Sequence, residues 1–206
     1  MKKTIPLFPL NLVPFPGEDL NLHIFEERYR QMIGDCHNNN LTFGVVPLRG
    51  GELERIGTEF KLVEISQTYE DGRMDIKTKG LQAFELLDYA PILDDKLYPG
   101  GEVNLLVDDN ETDFSLKLKI VKLREELYKI MKLDSKLKIS IDDLLSYDIA
   151  HKLGLNTDKE LELLSIRSEK ERLIYLLDHL QQILPSLIEL EEMKRKVKLN
   201  GHFKKV

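Results

Sequence analysis

The chain has 206 residues, of which 42% are hydrophobic and 32% charged, and its formal net charge is −6. That apolar share supports one good core or two small ones and excludes the disordered class. The acidic balance excludes a broad nucleic-acid footprint, which needs clustered positive charge to displace counterions.

The opening alternates apolar residues with prolines: Ile5, Leu7, Phe8 and Leu10 around Pro6 and Pro9, then Val13 and Phe15 around Pro14 and Pro16, ahead of Gly17. Proline fixes φ and removes a backbone donor, so this stretch is expected to pack as edge or loop structure, away from the middle of a sheet. The prolines and Asn11 interrupt the apolar run behind Lys2 and Lys3, which argues against a signal peptide. After Gly17, Leu20, Leu22 and Ile24 alternate with Asn21 and His23 and predict a short strand. From Glu26 the spacing turns helical, with Tyr29, Met32 and Ile33 as the apolar stripe and Asn38 to Asn40 as its end.

Strands follow over 42–48 and 59–68, with a break at Gly50-Gly51, and Asp71-Gly72 signals a hairpin into a strand over 74–78. Gly80 is expected to bend the chain into another strand over 81–89. Two more are predicted over 92–97 and 102–107, separated by Pro99-Gly100-Gly101. Short strands at this spacing read as a partly closed β-barrel.

Beyond Asp108-Asp109-Asn110 the period becomes helical. Leu116, Ile120, Leu123, Leu127 and Ile130 predict one helix, and Leu144, Leu145, Ile149 and Leu153 a second, closed by Gly154. Capping-box patterns at 157–160 and 168–171 each predict a helix start worth about 1 kcal/mol. The last helix aligns Leu173, Leu176, Leu177, Leu180, Leu184 and Leu187, and Pro185 is expected to kink it. The fold class is therefore α+β, with a β-domain over 1–110 and a helical subdomain over 111–206. Its basic tail, Lys194-Arg195-Lys196, Lys198 and Lys204-Lys205, reads as a frayed, solvated terminus.

Catalytic signals are absent from the sequence. There is no G-x-x-x-x-G-K-[ST] phosphate loop, the five histidines show no i, i+4 pairing, and Cys36-His37 offers too few ligands for zinc. No metal or cofactor is expected. Adjacent acids such as Asp94-Asp95 and Asp142-Asp143 read as solvated or aligned with helix dipoles. The single cysteine suits a reducing cytoplasm, and no apolar stretch is long enough to span a bilayer, so a cytoplasmic location is expected.

The I-P-L-F-P-L run at 5–10, the Pro16-Gly17 loop and the L-x-I-F-E-x-R-Y junction at 22–29 occur in the order that the N-terminal, substrate-binding domain of Lon proteases shows, and the chain resembles that family. Ile56-Gly57-Thr58, Asp71-Gly72-Arg73, the K-G-L-Q-A-F run at 79–84 and the segment 146–155 extend the resemblance. One departure is Ala83, where the family often carries Arg. The resemblance implies a PUA-like β pseudo-barrel with one helix, followed by a helical bundle. It also implies a module that binds unfolded or extended polypeptide, a quality-control adaptor with a AAA+ protease as a partner. Without the ATPase phosphate loop and the Ser-Lys protease domain of full-length Lon, no catalytic activity is expected. Phe15, Tyr69 and Tyr98 are the candidate peptide contacts, since aromatics at strand ends and loops bury large areas. Glu26, Arg28 and Tyr29 are expected to lock the strand-to-helix junction through charge-assisted hydrogen bonds. Two other readings stand beside this one: nucleic-acid binding through a PUA-like barrel, and a small-molecule enzyme with a site between the subdomains. Membrane and nucleic acid are not expected as partners on the leading reading.

Overall fold

The computed structural model describes residues 1–134, 136 and 139–201, with side chains to residue 197 away from the gaps. In chain order the elements are β1 (Lys2–Leu10), β2 (Asp19–Ile24), α1 (Glu27–Asn39), β3 (Thr42–Arg49), β4 (Glu52–Leu53), β5 (Ile56–Thr68), β6 (Met74–Ala90) and β7 (Gly100–Leu105). There follow α2 (Phe114–Met131), α3 (Ser146–Ile149), a 3-10 turn (Ala150–Lys152), α4 (Thr157–Ser165) and α5 (Glu169–Gly201). The chain forms two compact units: Met1–Asp108 with Asn156–Arg167, and Asp109–Leu155 with the chain from Ser168.

In the first unit the pairing closes on itself. β1 pairs β7, β7 pairs β6, β6 pairs β5 and β5 pairs β3, all antiparallel, and β3 returns to β1 in parallel. β1 is thus a member of the ring, and the expectation that its prolines keep it at an edge is corrected. Its two halves have different neighbours: Lys2 to Pro6 face β7, and Leu7 to Leu10 face β3. Pro6 and Pro9 each lie where β1 has one ladder partner, so the missing N–H has a side on which no strand needs it.

Alternation along the ring strands separates two apolar clusters. Leu7, Val46, Phe84 and Val103 point one way, with Ile5. Phe8, Val45, Phe43 and Phe60 point the other, onto Tyr29, Met32, Ile33 and Cys36 of α1. The Phe84 ring fills the space over Gly57, where an added Cβ would lie 2.7 Å from it and 2.5 Å from the Val45 carbonyl oxygen. Burial among these side chains pushes the Cys36 thiol up to about 12, so it stays protonated.

Three local expectations change. β6 runs as one strand through Gly80, with a register shift against β5 beginning there (Phe60↔Gly80, then Thr58↔Ala83), and the glycine's lack of a Cβ also admits the Phe15 carbonyl oxygen at 2.6 Å from the Cβ position. The predicted strand over 92–97 is a turn, closed by Leu93 N–H donating to Tyr98 O (3.0 Å) and by Asp94 at φ 50°, a conformation that Asp-Asp tolerates. α4 is capped by Asn156, whose side chain accepts from Lys159 N–H at 2.9 Å, so Thr157 is the first helical residue instead of the cap.

The second unit contains α2, α3 and α5. Asp113 caps α2 by accepting from Ser115 N–H (2.8 Å) and Leu116 N–H (3.2 Å). The helix predicted over 144–153 shortens to α3 and the 3-10 turn, because Asp148 reaches back to Leu145 N–H (2.8 Å) and starts the helix late; Gly154, at φ 74°, closes it. α5 buries Leu173, Leu176, Leu177, Leu180 and Leu184 and continues through Pro185. Lys194, Arg195 and Lys196, expected in a frayed terminus, are helical; Lys204 and Lys205 lie outside the described residues.

Candidate functional site

Glu26 stands at the N-cap of α1 in extended backbone (φ −73°, ψ 137°), directly after β2. Arg28 donates to its Oε2 from Nε (2.8 Å) and Nη2 (2.7 Å), and the same guanidinium lies 4.5 Å over the Tyr29 ring. Tyr29 is buried with its ring centroid 4.1 Å from Phe8, and burial raises its phenol pKa. The three residues therefore lie together where strand passes to helix.

The predicted peptide contacts divide. Phe15 is 1% exposed and Tyr98 2% exposed, so neither is the surface contact expected of it. Phe15 anchors the proline-rich loop, its N–H donating to Glu18 Oε2 at 3.0 Å. The Tyr98 hydroxyl donates to Asp35 Oδ2 at 2.8 Å, and burial, then that bond, push its pKa up. Lys96 Nζ, 2.9 Å from Asp35, and the Tyr98 hydroxyl hold the Asp35 carboxyl below its usual range.

Tyr69 alone of the three reaches the surface, and it does so in company. Its hydroxyl donates to Asp75 Oδ2 at 2.7 Å, His23 Nδ1 lies 2.6 Å from Asp75 Oδ1, and the Arg73 guanidinium lies 5.4 Å from the Tyr69 ring centre. The His23 ring meets Tyr69 edge-on at 5.8 Å and stacks with Phe25 at 6.4 Å. Phe25 is 62% exposed. His23 and then Tyr69 hold the Asp75 carboxyl below its ordinary value. Sequence reasoning missed His23, Phe25 and Asp75 as site residues. The available signal was the alternation of β2, which puts His23 on its outer side; the partner, Asp75, is set by the β2–β6 register, which pairs the two directly.

The same strand offers backbone. Among the described residues β2 pairs only with β6, in unbroken register from Asp19↔Lys79 to Ile24↔Met74. Its other edge therefore presents the N–H and C=O groups of alternate residues. β5 beyond Lys61 also lacks a partner on the β3 side, but two register shifts, at Leu62/Glu64 and Ile65/Gln67, spoil it as a template. Among the described residues no group of three His, Cys, Asp or Glu side chains could hold a metal ion, and no helix is long and apolar enough to cross a membrane. Ala83 is buried beside Phe84, with no charge at that place.

A closed strand circuit with a regular unpaired edge on β2, beside which Phe25 is exposed and Tyr69 half-buried, belongs to a fold of the α+β class. The sequence profile of the ATP-dependent protease La (LON) substrate-binding domain matches residues 4–182, and the chain belongs to that family. Its fold is similar to the crystal structure of a Lon N-terminal domain protein from Xanthomonas campestris, with a TM-score of 0.66 and 25% identity over 85% of this chain and 98% of that one. It is also similar to the N-terminal domain of Mycobacterium avium complex Lon protease, with a TM-score of 0.63 and 16% identity over 87% of this chain and 98% of that one. No curated protein matches the chain.

Proposed function

We propose that this protein is a non-catalytic polypeptide-binding module, a quality-control adaptor that takes an extended segment of an unfolded client along β2. The observation that carries the reading is the unpaired, bulge-free edge of β2 with Phe25, His23 and Tyr69 beside it. An added strand satisfies the exposed backbone groups whatever its sequence, which suits a module that meets many clients, while Phe25 and Tyr69 supply apolar area for alternate side chains. Family membership agrees in kind, since the matched domain is a substrate-binding one. A AAA+ protease is the partner to which such an adaptor would hand its client.

The test is fluorescence anisotropy of a permanently unfolded labelled protein titrated with the full chain at moderate salt. Saturable binding that falls about tenfold or more, some 1.4 kcal/mol, in a Phe25→Ala/Tyr69→Ala variant of unchanged thermal stability is expected. Equal binding by that variant sinks the β2 surface as the site. Binding to single-stranded RNA instead, with steep salt dependence, sinks the polypeptide reading altogether.

A further inference from the structure

The helical unit holds a cavity of about 700 Å³ that shares no residue with the β2 surface. Three stretches build it: the last turns of α2, the 3-10 turn with Leu153 and Gly154 after it, and the middle of α5. Leu127 and Leu153, 2% and 0% exposed, form its floor with Ile183 and Leu187, which stand four apart on α5 and so share a face. Met131 and Leu133 also line it and are more than half exposed, so apolar side chains continue from the floor to the mouth. The volume falls among those of small-molecule sites, about 300–1,000 Å³.

Charge decides the class of ligand. The chain carries a net charge of −6, and other cavities of it are lined by carboxylates: Glu54, Glu85 and Glu162 in one of about 680 Å³, Asp134 and Asp148 in one of about 470 Å³. No Asp or Glu lines the cavity between α2 and α5, whose polar residues are Tyr128, His151, Lys152, Gln182 and Ser186. Lys152 is exposed at its rim, and among the described residues no ion pair engages it.

We propose that this cavity binds a single-chain anionic amphiphile of the class of a long-chain carboxylate, its alkyl chain against Leu127, Leu153, Ile183 and Leu187 and its head at Lys152. A Lys stem lies along apolar surface while its ammonium stays in water, so the two charges meet at the rim and neither is buried. The walls are helical and bond most of their own backbone groups, so the cavity offers apolar area and charge, where β2 offers main-chain groups.

Isothermal titration calorimetry of the full chain with octanoate, decanoate and dodecanoate, each below its micellar concentration, tests this. Saturable binding is expected, with affinity rising about fourfold for each methylene that is fully buried. Dodecyltrimethylammonium, with the same tail and the opposite head, should bind about fivefold more weakly or worse, and Lys152→Glu should reverse that preference. Ser186→Trp, at an exposed position on the mouth, should abolish dodecanoate binding with the circular dichroism unchanged; Gln182→Trp blocks the same mouth should the first variant unfold. Phe25→Ala/Tyr69→Ala should bind dodecanoate as the parent chain does, which separates this outcome from that of the β2 reading. No saturable binding of any carboxylate, equal affinity for the ammonium compound, or dodecanoate binding that survives both tryptophans or is lost in the β2 variant overturns the proposal. Co-sedimentation with phosphatidylglycerol vesicles, lost in Ser186→Trp and seen without binding of free dodecanoate, would assign the cavity to a lipid surface and overturn it as a site for a free ligand.

Discussion

The two compact units keep polar groups out of trouble in different ways. In the β-unit the ring interior is Leu7, Val46, Phe84 and Val103, and the buried polar residues are satisfied locally: Thr58 Oγ1 donates to Pro14 O and Thr78 Oγ1 to Leu20 O, each at 2.6 Å, and Glu59 pairs with Lys3. In the helical unit Lys117, Arg124, Ser146, Glu169, Arg172 and His179 are all buried. Glu169 accepts from Ser146 N–H (2.7 Å), Ser146 Oγ (2.8 Å) and Arg172 Nε (3.0 Å), and the Arg172 guanidinium lies 4.4 Å over the Tyr147 ring. Lys117 Nζ donates to Asp142 O at 2.6 Å and His179 Nε2 lies 3.1 Å from Leu153 O, so charged and ring groups reach the carbonyls of an irregular stretch. A closed ladder positions its strands through the backbone and leaves the core free to be apolar. Short helices and turns have no ladder, and directional side-chain bonds take its place, at the desolvation cost that buried charge carries.

The largest effect should therefore follow from Glu169→Ala. It removes the acceptor of three donors and leaves Arg172 charged in an interior site, a change of a kind that costs about 3–5 kcal/mol. Urea unfolding, followed by helical signal, should show that loss. A cost under about 1 kcal/mol would mean the network is incidental and that the leucine stripe of α5 suffices.

Gly57→Ala tests the other side of the contrast. Its Cβ would meet the Val45 carbonyl and the Phe84 ring, so the ring must open or Phe84 must shift, and overpacking of this kind costs about 1–3 kcal/mol. Denaturant unfolding read from the β-sheet signal checks it; a neutral result would show slack in the circuit that its closed pairing does not suggest.

What the sequence made legible follows the same division. Period-two and helical spacing located β2, α1, β5 and α2, and the opening motif carried the family, because these are signals of neighbours in the chain. The place of β1 in the ring was not legible, since it depends on two strands far along the chain each taking half of it. Nor was the burial of Phe15 and Tyr98, which is decided by Gly80 and Asp35 across the fold. His23 looked like one of five scattered histidines until the β2–β6 register put Asp75 opposite it. Glu169 is only an interior position of the 168–171 capping-box pattern in the sequence, and it is the bonds from Ser146 and Arg172 that make it central.

The smallest effect is the one that contrasts an exposed polar cluster with the buried one. The Asp75 carboxyl is held below its ordinary value of 3.8 by His23 first and Tyr69 second. A folded value below the unfolded one gives stabilisation that is present in full above the unfolded value and is lost as pH falls through the folded one. Asp75→Asn should thus lower stability slightly at neutral pH, and the gap to the parent chain should close as the pH falls below the ordinary carboxylate range and Asp75 is protonated, so that both carry a neutral side chain there. Thermal unfolding of the pair at a series of pH values measures it. A gap that stays constant into acid would mean that Asp75 acts by packing alone and that the His23–Asp75–Tyr69 trio holds the surface beside β2 by shape; a gap that closes makes the trio an electrostatic brace, cheap to open because solvent already screens it.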